Sequence, residues 1–177
     1  MPASGTFATK LNEQIANEFA AHQQYVACAV YFEAETLPQL AAFFYRQALE
    51  ERSHAMMMIQ FLLDTGEDVT TPGIAAPRTT FDDVTEPVAL ALAQEREVAE
   101  QINALAATAR DERDFAAEQF VQWFIAEQIE EVATMSDLLK VAERSRDRVA
   151  EIEDFLAREH PGEDGPDPGA PRPAGGQ

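Results

Sequence analysis

The sequence predicts an all-α fold: a four-helix bundle with a long crossover between its second and third helices and a short fifth helix near the C-terminal end. Three observations predict it. Apolar residues recur at steps of three and four over four long stretches, the spacing of one helix face. Gly and Pro are absent from the first stretch, residues 8–35, and gather between the second and third at Gly66, Pro72, Gly73 and Pro77. The chain has 177 residues, 46% of them hydrophobic and 25% charged, enough for one domain with a sizeable core.

The first helix is read from about Ala8 to Glu35, with an inward stripe of Leu11, Ile15, Glu18, His22, Tyr25, Ala29 and Phe32. Thr36, Pro38 and Gln39 resemble a capping box with Pro in the first turn. The second helix then runs from about Pro38 to Thr65 and stops at Gly66, its stripe being Phe44, Ala48, Glu51, Ala55, Met58 and Leu62. So short a connection makes these two helices antiparallel neighbours.

Residues 66–82 form a loop of about 17 residues, long enough to need a reason. A helix of about 28 residues spans about 42 Å, and about 17 extended residues reach roughly 56 Å. The loop can therefore cross the whole bundle and start the third helix at the far end, parallel to the second.

The third helix is read from Asp82 or Asp83, either a candidate cap, to about Arg110, with Pro87 in its first turn. Its stripe is Val88, Leu92, Glu95, Ala99, Ile102, Ala106 and Ala109. A short turn at residues 111–113 leads to the fourth helix, about Asp114 to Ala142, with Phe124, Gln128, Glu131, Met135 and Leu138 inward. Val149, Ile152, Phe155 and Leu156 mark a fifth helix between about Ser145 and Glu159. Residues 1–160 are thus read as one domain, and the Pro- and Gly-rich residues 161–177 as a flexible tail.

Charge and cysteine usage narrow the function. A net charge of -19 argues against sequence-independent nucleic-acid binding and against anionic membrane surfaces, which need a basic face. It suits cationic partners, metal ions among them, or simply a well-solvated surface. The one cysteine, Cys28, excludes an intramolecular disulfide framework and lies in an apolar stretch, where an inert buried thiol is expected. No apolar run approaches a membrane span and no secretory h-region is seen, so a cytoplasmic protein is expected.

The anomaly is that every apolar stripe is interrupted by a carboxylate: Glu18, Glu51, Glu95, and Glu131 beside Gln128. Each lies within about four residues, or roughly 6 Å, of its helix midpoint. Midpoints share one level in a bundle whatever the helix directions, so all four helices aim oxygens at one buried place. His54, three residues after Glu51, adds a nitrogen on the same face. Buried carboxylates at close quarters repel and take up protons, unless cations lie between them. Four Glu and one His can serve two metals through a shared carboxylate, and an oxygen-rich set with imidazole suits iron or manganese. Arg52 and Arg96 adjoin site glutamates in sequence but are rotated about 100° off their face, so they do not neutralise them.

At these residues the chain resembles the bacterial non-haem ferritins. The likeness is carried by Leu11-Asn12-Glu13-Gln14, Asn17-Glu18, Tyr25, Glu50-Glu51-Arg52-Ser53-His54-Ala55, Ala89-Leu90-Ala91, Glu95, Trp123-Phe124, and Glu127-Gln128-Ile129-Glu130-Glu131, and it covers roughly residues 8–159. The resemblance implies a ferritin-like four-helix bundle and a 24-subunit hollow shell that oxidises Fe(II) with dioxygen or peroxide and stores a ferric mineral. It implies one iron on Glu18, Glu51 and His54, and a second on the shared Glu51 with Glu95 and Glu131. Gln128 would lie beside the pair, and Glu50, Glu127, Glu130 and Glu131 would form a third site toward the cavity. Tyr25 and Trp123 would border the centre, either as packing groups or as electron donors.

The haem-binding bacterioferritins resemble the chain too, but carry Met where Arg52 stands and a second Glu-x-x-His where Glu130 follows Glu127 by three residues. Both differences imply a centre without haem. The Pro-Gly loop does not read as the extra helix of the small DNA-protecting ferritins. His22 departs from the family's usual small residue, and either packs or touches iron in passing. Two rival readings stay open: a storage subunit without useful catalysis, and a small di-metal oxidase acting on an organic substrate.

Overall fold

A computed structural model describes residues 6–162, 165 and 167–176. It contains α1 (Thr6–Ala34), α2 (Pro38–Thr65), α3 (Thr85–Glu112), α4 (Phe115–Arg144) and α5 (Val149–Glu159), and no strand among the described residues. Residues 1–5, at the start of the sequence-predicted domain, lie outside the described residues, as do 163, 164, 166 and 177 of the predicted tail.

Helices α1 and α2 pack as one antiparallel hairpin and α3 and α4 as another. Phe7 N–H donates to Glu112 (3.2 Å), Lys10 Nζ to Thr108 Oγ1 (2.8 Å), and Tyr25 reaches Ala91 and Glu95, so α1 and α3 also run antiparallel. It follows that α2 and α3 are parallel, as the loop length predicts. The loop between them is tied down twice by α1. Asn12 donates to the Asp68 carbonyl (2.9 Å) and accepts from Thr70 N–H (2.7 Å). Further along α1, Gln24 donates to the Arg78 carbonyl (2.8 Å) and accepts from Arg78 N–H (2.9 Å). Each amide thus gives the loop backbone the partners that a strand would otherwise supply.

The helix ends follow local chemistry with two differences from the sequence reading. Gly66 (φ 76°) ends α2 in the left-handed region, and Asp114 caps α4 by accepting from Ala117 N–H. Asp83 serves α3 as anticipated, its Oδ1 accepting from Thr85 N–H (2.8 Å) and Glu86 N–H (3.3 Å). At the start of α2, however, no capping box forms. Thr36 is itself left-handed (φ 61°), and the free N–H groups of Gln39 and Leu40 donate to the two carboxylate oxygens of Glu153 in α5, at 2.9 and 2.8 Å. An anion at the positive end of the helix dipole replaces the hydroxyl cap. The fifth helix also starts later, at Val149, because Ser145 to Arg148 close a turn in which Arg148 N–H bonds the Ser145 carbonyl.

The buried core divides in two. One apolar cluster gathers Tyr25, Phe32, Phe44, Val88, Met135, Leu138 and Ile152; the other gathers Leu11, Ile15, Met58, Leu62, Ile102, Val121 and Phe124. Between them in each of α1 to α4 lie the polar interruptions, Glu18, Glu51, His54, Glu95, Gln128 and Glu131, all buried. Cys28 is fully buried in the first cluster, and burial pushes its thiol up to about 12, so it stays protonated.

Candidate metal centre

Helical spacing sets the layer: Glu51 and His54 sit three apart on one face of α2, Gln128 and Glu131 likewise on α4, with Glu18 and Glu95 single on α1 and α3. Glu18, Glu51 and His54 bring one ligand atom each within 4.8 Å of one another, and so do Glu51, Glu95 and Glu131. Glu51 belongs to both sets. His54 Nδ1 lies 3.7 Å from Glu18 and 3.9 Å from Glu51.

Buried polar groups are ordinarily hydrogen-bonded. Here Glu18 Oε2, both oxygens of Glu51, both oxygens of Glu131 and His54 Nδ1 have no hydrogen-bond partner among the described residues. The remaining ligand atoms are held in place. Gln14 donates to Glu18 Oε1 (2.8 Å), Tyr25 donates its hydroxyl hydrogen to Glu95 Oε1, and Gln128 donates to Glu95 Oε2 (3.0 Å). The centre therefore sets the free lone pairs of Glu51, Glu131 and His54 beside the anchored Glu18 and Glu95, an arrangement that fits cations of the oxygen-seeking kind.

Electrostatics agree. Burial, then the facing carboxylates Glu131, Glu95 and Glu18, hold Glu51 well above the ordinary carboxylate range. Burial and Glu95 do the same to Glu131. Burial also raises Glu95, against the opposing hydrogen bonds from Tyr25 and Gln128. Burial pushes Glu18 upward too, but its contact with His54 outweighs this and leaves it below the ordinary value. Burial disfavours the charged form of His54, yet Glu18 raises it. Tyr25, buried and facing Glu95, is held well above its usual value and remains a phenol. Without a cation the layer manages its charge by retaining protons.

Beyond the layer, Glu50, Glu127, Glu130 and Glu131 line a cleft of about 610 Å³ with Arg46 and His160. Burial raises Glu50 and Glu127. Glu127 also comes within 4.8 Å of His54 and Glu131 through one ligand atom each. Glu130 is exposed at the cleft. Trp123 sets its ring edge against His54, with centroids 5.5 Å apart. His22 stays half-buried outside the layer, its Nδ1 2.6 Å from the Ala48 carbonyl across the α1–α2 interface. Arg52 and Arg96 are exposed. Sequence reasoning missed Gln14 and Gln47, which hold Glu18 and Glu50. Gln14 is legible in hindsight as a polar residue one turn before Glu18 on the same face.

Comparison with known proteins identifies the family. The family described as Ferritin, ferritin-like domain, matches residues 8–145. The chain is 52% identical to Ferritin BfrB of Mycolicibacterium smegmatis, over 99% of each chain. It is 37% identical to a bacterial non-heme ferritin of Staphylococcus epidermidis, covering 70% of this chain and 75% of the relative. Among solved structures, an open pore ferritin from Archaeoglobus fulgidus superposes with a TM-score of 0.83 at 27% identity, covering 88% of this chain and 98% of that one.

Proposed function

The chain belongs to the ferritin family, and from that premise we propose that it is an iron-storage ferroxidase: it oxidises Fe(II) inside the bundle and passes Fe(III) to a mineral within a homo-oligomeric shell. The observation that carries this reading is the set of buried, unpartnered ligand atoms on Glu18, Glu51, His54 and Glu131. No hydrogen-bond partner among the described residues satisfies them, and two cations would.

Iron here is substrate. One Fe(II) is held by Glu18, Glu51 and His54, the other by Glu51, Glu95 and Glu131, with Glu51 shared. Each iron gives up one electron; dioxygen takes the pair with two protons and leaves as hydrogen peroxide. Peroxide in turn can take two electrons from a second pair of irons, with two protons, and leave as two waters. Carboxylate oxygens favour Fe(III) over Fe(II), which drives the transfer. Fe(II) loading displaces the protons retained by Glu51 and Glu131. Gln128 and Tyr25 fix Glu95 from either side, and Tyr25 stands next to the layer as a candidate electron donor. Glu50, Glu127 and Glu130, with Glu131, give Fe(III) a third stopping place along the acidic cleft.

Arg52, exposed at the position where haem-binding relatives carry Met, supports a shell without haem. A negative subunit draws Fe(II) inward and does not suit nucleic acid or anionic lipid. No helix among the described residues is long and apolar enough to cross a membrane, and a cytoplasmic shell of 24 subunits is the assembly we propose.

Stopped-flow oxidation tests the reading: a fast phase that saturates at two Fe(II) per subunit supports the ferroxidase, and spontaneous-rate oxidation with normal mineral uptake would leave storage alone. Sizing provides the second arm. A species near twenty-four times the 19.5 kDa subunit supports the shell, and a monomer or dimer points to an oxidase of organic substrates.

A further inference from the structure

A metal-ligating imidazole is usually oriented by a hydrogen bond on its second nitrogen. His54 is also flanked by rings. Trp123 stands edge-on to it at 5.5 Å and 74°, and Phe124 at 5.7 Å and 80°, while Trp123 and Phe124 are themselves perpendicular at 4.9 Å. Whatever fixes Trp123 therefore bears on the orientation of His54. The indole has a single polar handle, its Nε1–H, and this donates to Asp167 Oδ2 at 2.8 Å, from a residue 44 positions away in the segment after α5.

Asp167 is itself anchored. Its Oδ1 accepts from Gly169 N–H (2.8 Å) and its carbonyl from Ala170 N–H (3.1 Å). Ala170 packs on the apolar cluster that contains Phe124, Ala174 N–H donates to the Met56 carbonyl on α2 (2.9 Å), and Arg172 lies 3.6 Å from Asp64. On the other side, Arg46 holds the His160 carbonyl (3.0 Å). The segment is thus attached to α2 before and after Asp167, independently of Trp123, and presents a fixed anionic acceptor to the indole.

We propose that Asp167 is a positioning residue for the metal centre: through its hydrogen bond to Trp123 it fixes the ring that sets the orientation of His54. This rests on the reading of Glu18, Glu51 and His54 as an iron site. Its effect belongs to the position that uses His54, and the Glu51, Glu95 and Glu131 position should be indifferent to it.

Trp123 is the one tryptophan in the chain, so tryptophan fluorescence reports its surroundings, this contact included. The full-length shell and its Asp167→Ala and Asp167→Asn variants are compared by metal-free emission and by anaerobic Co(II) titration, followed by visible absorption. The expected result is a shifted emission maximum in Asp167→Ala and a His54-dependent Co(II) site weakened by about tenfold, with the second site unchanged. Asp167→Asn, which keeps an acceptor oxygen, should recover most of both. A wild-type shell that binds Co(II) while Asp167→Ala matches it in emission and affinity overturns this proposal alone. Equal weakening of both Co(II) sites also overturns it, as a general structural effect. A wild-type shell that binds no Co(II) overturns the iron-site reading and this proposal with it.

Discussion

Glu51 and Glu131 bring carboxylate oxygens within 4.8 Å of each other from α2 and α4, and none of their four oxygens has a hydrogen-bond partner among the described residues. Burial first, and the facing carboxylates second, hold both groups well above the ordinary range. The folded metal-free chain therefore keeps protons that the unfolded chain has already lost. Stability is fully present below the unfolded value of about 4.5 and is lost as pH rises through the raised folded values, by about 1.4 kcal/mol per pH unit for each proton retained. Melting temperatures of the metal-free chain should fall from about pH 5 upward, and the gain on adding Co(II) should widen with pH. Glu131→Gln should flatten the slope; an unchanged slope would mean that the layer does not set it.

Replacing the shared ligand separates chemistry from assembly. Glu51→Ala should slow the fast oxidation phase by more than the ~10–100-fold cost of losing a supporting partner. The sizing profile should not change, because the side chain contributes no hydrogen bond to the fold. Oxidation as fast as wild type would move the centre elsewhere.

The pH dependence of metal binding should follow His54. Glu18 raises its pKa against the effect of burial, and the ring must be neutral before Nδ1 can bind. Anaerobic Co(II) affinity at the His54 position should weaken as pH falls through that raised value. In Glu18→Gln the fall should move to lower pH. A limb that stays in place would show that Glu18 does not hold the proton on His54.

Glu153 should matter more than an exposed glutamate on a short helix ordinarily does. Its two oxygens accept the first free N–H groups of α2. Glu153→Ala should cost about 1–2 kcal/mol, read as a lower urea midpoint at unchanged slope, with Glu153→Gln in between. Full stability in the Ala variant would return the cap to solvent.

Much of this was legible because the two signals are local. A 3.6-residue period reports one face of one helix, and a glutamate inside it is conspicuous at once; Glu18, Glu51, Glu95 and Glu131 needed no partner to be noticed. Loop length alone carried the parallel relation of α2 and α3. What the sequence hid are contacts between distant segments. The Gln39–Glu153 cap joins residues 114 apart, while Thr36 offered a plausible local substitute. Asn12 and Gln24 look like ordinary helix amides until the loop lies beside them. The Trp123–Asp167 contact comes from a segment whose composition predicts flexibility, since it holds the bundle through backbone, carboxylate and guanidinium groups, with no large apolar side chain to announce it.

The two proposed cation positions have different origins. Glu18, Glu51 and His54 all come from the α1–α2 hairpin, so that position is complete as soon as the first half of the chain folds. The other needs Glu51 from the first half and Glu95 and Glu131 from the second. It exists only after the halves dock, and a cation there cross-links them as a clasp does. Occupying it resists separation of the hairpins, whereas occupying the first does not. On the proposed reading, the first hairpin alone offers one iron position and no adjacent pair with which to give dioxygen two electrons, so the oxidation chemistry requires both hairpins docked.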